Sequence, residues 1–180
     1  MKKLVYLAFI VIALAACSSP ERKAETLIND YLQMSLLKPD SYKSVKTILR
    51  EANSPYDDIE LLKEVNELKD VAEKLEMSEW LLPSEKSGEE YDKAIAKMKK
   101  LNTKKTKLLD DITVKLNDTP RIVGYKALHN FRADDNAGNT FIGNVIAFFD
   151  KDMEYLMYIL EESEYEALQK YIKEEILEEE

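Results

Sequence analysis

The chain has 180 residues, of which 34% are charged, and its 35 acidic residues outweigh 26 basic ones for a net charge of −9. A surface of that sign repels nucleic acid and anionic lipid headgroups, so neither is expected as a partner. One cysteine and one histidine leave no disulfide framework and no thiolate cluster for a metal.

The chain opens with the basic segment Met1-Lys2-Lys3, followed by an uncharged run from Leu4 to the small pair Ala15-Ala16, the layout of a secretory signal. A membrane-spanning helix needs roughly 20 apolar residues. Here Ser18, Ser19, Pro20, Glu21, Arg22 and Lys23 close the run early, so residues 1–16 are expected to be a cleaved signal peptide. A buried apolar cysteine within the signal is the plain reading of Cys17.

Leu14-Ala15-Ala16-Cys17 also resembles the bacterial lipobox, a Leu, two small residues and a Cys at the end of an apolar run. The resemblance implies diacylglycerol on the Cys17 sulfur, cleavage before Cys17 by lipoprotein signal peptidase, and acylation of the new amine with a fatty acid such as palmitate. Several chains, at ~0.8 kcal/mol per buried methylene, make a stable anchor. Ser18 resembles the choice of lipoproteins sorted to an outer membrane. The expected place is therefore the cell envelope, as an outer membrane lipoprotein facing the periplasm. Removing Lys2 and Lys3 leaves 24 bases against 35 acids, a mature net charge of −11.

Ala24, Leu27, Ile28, Tyr31 and Met34 recur at three- and four-residue steps, which predicts a helix from Pro20 to Leu37 ended by Pro39. From Tyr42 to Glu51 the pattern alternates, with Val45, Thr47 and Leu49 on one side of a strand. Leu61, Val65, Leu68, Ala72 and Leu75 then return to helical spacing. After the Pro83 to Gly88 turn, Tyr91, Ala94, Met98, Leu101, Leu108, Ile112 and Leu116 repeat it. These two helices predict an antiparallel hairpin over about residues 57–117 that packs mainly on itself.

From Pro120 the period is two. Val123, Tyr125, Ala127, His129, Phe131 and Ala133 share one strand face, and Ile122, Lys126, Leu128, Asn130 and Arg132 the other. Asp134 to Asn139 is a turn, Thr140 to Asp150 a second strand of this run, Lys151-Asp152 a tight turn and Glu154 to Leu160 a third. Ser163 with Glu166 has the capping-box form and predicts the start of a final helix. The fold class is α+β, an antiparallel β-meander with N- and C-terminal helices and the inserted helical hairpin, expected as a single lipid-anchored domain over 17–180.

Pro39-Asp40-Ser41-Tyr42, with His129-Asn130-Phe131-Arg132-Ala133-Asp134 and Gly138, resembles a pattern in small uncharacterised lipoproteins of Gram-negative commensals, which covers the sheet region and offers no activity to carry over. Tyr125, His129, Phe131 and Arg132 are the candidate binding residues. His129 could be a base, but a lone imidazole between Tyr125 and Phe131 reads as a hydrogen-bonded, partly buried core group. Asp150-Lys151-Asp152-Met153-Glu154 with Glu161 imitates a calcium loop, yet Tyr155 stands where the sharp turn requires Gly, and a hairpin turn explains it better. Lys97, Lys99, Lys100, Lys104, Lys105 and Lys107 form the one basic cluster, read as a solvated helix face, with contact to anionic lipid or an acidic partner as the alternative.

No catalytic residue, metal or cofactor is expected. The expected function is a non-enzymatic module that binds a protein partner or ligand in the envelope. The alternatives are an inhibitor or immunity-type protein acting on an exported enzyme, and an envelope enzyme using His129.

Overall fold

A computed structural model describes residues 19–84 and 86–177. The signal segment, the lipobox with Cys17, and the acidic Glu178–Glu180 lie outside the described residues. The elements run α1 (Pro20–Ser35), β1 (Lys43–Asn53), α2 (Ile59–Trp80), α3 (Glu89–Leu116), β2 (Ile122–Asp134), β3 (Thr140–Phe149), β4 (Leu156–Glu161) and α4 (Glu162–Tyr171), closed by a π turn at Ile172–Ile176. The strands form one antiparallel sheet in the order β1-β2-β3-β4, with the helical hairpin inserted between β1 and β2. The chain is α+β with the meander read from its sequence. It divides into two compact units, Met1–Glu51 with Gly124–Glu162, and Ala52–Val123 with Ser163–Glu180.

In the first unit, Ser19 caps α1 by accepting a bond from the Arg22 backbone N–H at 3.4 Å, and Pro20 starts the helix where its missing N–H costs nothing. The helix buries Ala24, Ile28 and Leu32 against Ala127, Phe131 and Ala133 of β2 and Val145, Ala147 and Phe149 of β3. The expected apolar stripe is corrected at one end. Strict four-residue steps put Leu32 inside and leave Met34 82% exposed, and the helix stops at Ser35 because Leu36 is already extended. Pairing of β2 with β3 runs from Tyr125↔Phe149 to Asp134↔Thr140. Gly143 lies under Phe131: a Cβ there would sit 2.3 Å from the Phe131 ring.

Both predicted turns of the meander form. Asp135 accepts from the Asn139 backbone N–H at 2.8 Å, and Gly138 takes φ of +88°, which favours glycine. Asp150 Oδ1 accepts from the backbone N–H groups of Glu154 at 2.8 Å and Tyr155 at 2.7 Å. Those bonds hold residues 154 and 155 in the turn, so β4 begins at Leu156, two residues later than the alternation suggests.

In the second unit, Asp58 caps α2 through the N–H groups of Glu60 and Leu61. Leu61, Leu62, Val65, Leu68 and Val71 are buried along α2, whereas α3 buries Ile112. The hairpin does not pack on itself alone. The Tyr165 hydroxyl donates to Asp57 Oδ1 at 2.7 Å, Gln169 Nε2 donates to the Tyr56 carbonyl at 2.7 Å, and Leu168, Ile172 and Ile176 are buried in the same unit. The capping box at Ser163 is corrected as well: α4 starts at Glu162, directly after β4, which places Ser163 inside the first turn rather than before it.

Candidate functional site

Three of the four candidate binding residues share the α1 side of the sheet. Tyr125, His129 and Phe131 project from alternate positions of β2, while Arg132 belongs to the opposite face and is exposed. The four therefore do not converge on one site.

His129 is fully buried. Its Nε2 is 2.9 Å from the Tyr42 hydroxyl and its Nδ1 is 2.9 Å from Thr47 Oγ1. A neutral imidazole has one donor and one acceptor nitrogen, and the two hydroxyls satisfy either tautomer. Tyr42 and Phe131 each stack with His129, centroids 6.1 and 6.0 Å apart, Tyr42 and Phe131 meet tilted at 5.7 Å, and Phe141 meets Phe131 edge-on at 6.1 Å. Burial lowers the His129 pKa from its ordinary value, with the Glu25 charge opposing that shift. Burial, and then Glu25, pushes Tyr42 up to about 12. At neutral pH both groups are uncharged, and both imidazole nitrogens are committed to partners inside the protein. The arrangement suits holding β1 beside β2, and it leaves the imidazole without a nitrogen directed at a ligand.

Asp150 is occupied by the turn it builds, whose backbone N–H groups hold its carboxyl below the usual range. Among the described residues no group of three or more His, Cys, Asp and Glu side chains could hold a metal ion.

The residues that reading the sequence missed lie on the second unit. At the C-terminal end of α2, Met77 is 63% exposed, Trp80 85% and Leu81 61%. Trp80 is the single tryptophan of the chain. Beside them α2 and α3 enclose an open groove of about 350 Å³ lined by Leu75, Ile95 and Met98, with Glu79, Lys99 and Asn102 also on its walls. A second hollow of about 420 Å³, next along the unit, is more polar and includes Glu73, Glu76, Lys105 and Tyr171. The available signal was a lone tryptophan three residues from a Pro/Gly/Ser turn, where a helix end has little to pack against.

No protein-family model, no curated protein and no solved structure matches the chain. Among the described residues no helix is long and apolar enough to cross a membrane.

Proposed function

We propose that this chain is a cell-envelope lipoprotein, anchored through lipid on Cys17, that works as a non-enzymatic protein-interaction module. The observation that carries the reading is the exposed Met77, Trp80 and Leu81 at the end of the helical hairpin. Aromatic and Met side chains are enriched in protein interfaces, and an exposed tryptophan is a typical binding anchor. Both His129 nitrogens are committed inside the protein, which leaves neither for a substrate and supports an interaction role for the chain over catalysis at that residue.

Two measurements test the reading. Labelled palmitate should enter the wild-type chain and not the Cys17→Ser variant; label in the variant removes the anchor. A photoreactive amino acid in place of Met77 should give discrete protein adducts in intact cells, while one at the solvated Lys43 should not. The absence of any adduct at position 77 removes the interaction surface.

A further inference from the structure

The hairpin carries both halves of a contact. Between Glu73 and Asp92 the sequence places seven acidic residues against two lysines, surrounding the exposed Trp80. Between Lys97 and Lys107 it places six lysines and no acid. Lys97, Lys100, Lys104 and Lys107 follow three- and four-residue steps, so they form one stripe along α3. Of these four, Lys104 pairs with Glu67 within the hairpin at 2.5 Å. The apolar groove of Leu75, Ile95 and Met98 lies beside the acid-rich end, with Glu79, Lys99 and Asn102 on its walls.

We infer that the partner of this surface is a second copy of the chain, in a twofold antiparallel pairing of hairpins that seats Trp80 of each copy in the groove of the other. This rests on the interaction-module reading above. At about 1.5 Å per residue, Met98 and Asn102 lie roughly 14 to 20 Å along α3 from its start at Glu89. An overlap of that length sets the acidic end of each hairpin on the lysine-rich shaft of the other, twice over, as an isologous contact requires. The indole meets three apolar side chains in the groove, and the Lys99 ammonium is on its wall for a cation–π contact. Two copies tethered to one membrane would meet at a raised effective concentration. A membrane is the poorer occupant, because the acid-rich end is repelled by anionic headgroups.

The test uses the full chain in intact envelopes, with cysteines introduced as L81C and N102C and mild oxidation by copper phenanthroline. Within one hairpin Leu81 follows the end of α2 at the turn and Asn102 lies roughly 20 Å along α3 from its start, a separation well beyond the ~7 Å between Cα atoms that a disulfide spans. The double variant should therefore give a reducible covalent dimer, and L81C alone should not. Adding W80A, or K97E with K100E, should cut the dimer at least fivefold while leaving the circular dichroism melt unchanged. The proposal is overturned if the double variant stays monomeric, or if L81C alone dimerises as well, which means contact end to end. Photocrosslinks from position 77 separate the failures. Adducts to a different protein keep the interaction surface and remove self-pairing, adducts to lipid replace the occupant with the membrane, and no adduct removes both readings.

Discussion

The two units bury their apolar residues in different ways. In the sheet unit, α1 covers one face of β2 and β3, and the residues between them form a continuous buried cluster. In the hairpin unit, burial is confined to one end. Leu61, Leu62, Val65, Leu68 and Val71, and again Ile112, are inaccessible, whereas Leu75, Tyr91, Ala94, Met98 and Leu101 are only half-buried. The physical reason is that one helix can cover only a stripe of its neighbour. A helix on a sheet meets side chains from several strands, and so closes a core, whereas two helices alone leave both flanks of their seam wet. Stability in the first unit should therefore be concentrated in single residues, and in the distal hairpin it should be spread thinly.

Truncation at the centre of each unit is the strongest test of that contrast. Phe131 is buried and touches the rings of Tyr42, His129 and Phe141. Phe131→Ala should cost about 3 to 5 kcal/mol in urea unfolding. Leu101→Ala, at a half-buried place in α3, should cost about 1 kcal/mol, since less apolar area leaves water. Similar losses at the two positions would dissolve the contrast. Gly143→Ala pushes a methyl group into the Phe131 ring and should cost about 1 to 3 kcal/mol, less than Phe131→Ala. Combining it with Phe131→Leu should recover part of that loss in a double-mutant cycle, because the clash is with the ring itself.

The His129 network adds a pH dependence to the sheet unit. Its folded pKa lies below the ordinary 6.5, so as pH falls the unfolded chain takes up the proton first. The stability this neutral group supports is complete above about pH 6.5 and declines as pH drops from there towards the folded pKa. His129→Leu should lose roughly 1 to 2 kcal/mol at neutral pH, the cost of leaving the hydroxyls of Tyr42 and Thr47 unpaired. It should also flatten the stability curve between pH 7 and pH 5. An unchanged slope in the variant would assign the pH response to other groups.

What could be read in advance follows the same division. The alternation from Val123 to Ala133 was legible because a strand covered on one face must place its apolar residues every second position. The burial of His129 was legible from that face, but its partners were not. Tyr42 and Thr47 lie 87 and 82 residues away, and only the placement of β1 beside β2 brings them there. The Asp150 turn was recognisable, while the start of β4 depended on bonds from a side chain to its own backbone. Ser163 and Glu166 matched a capping pattern, yet β4 runs straight into α4, so Ser163 falls within the first turn of the helix instead of before it. Met77 and Trp80, three residues apart, match a helical apolar step as well as Leu61 and Val65 do. Periodicity shows that a stripe exists and says nothing of where its cover ends.

The smallest expected effects lie in the ion pairs that cross the hairpin, and they grade along its length. Lys115 meets Glu64 at 2.7 Å near the buried end, with side chains 37% and 28% exposed. Lys104 meets Glu67 at 2.5 Å further out, with side chains 52% and 47% exposed. Water screens the outer pair more, so Lys104→Ala should change stability by at most about 0.5 kcal/mol and should become silent in 0.5 M salt. Lys115→Ala leaves the partly buried Glu64 carboxylate without its cation, and Glu64 Oε2 already has no hydrogen-bond partner among the described residues. Its cost should therefore be larger, about 1 kcal/mol, and should persist in salt because the pair is less hydrated. Double-mutant cycles on both pairs at low and high ionic strength measure the grading directly. Equal coupling at the two positions would mean that the distal hairpin is as well shielded from water as its base, and would remove the reason for expecting its exposed end to seek a partner.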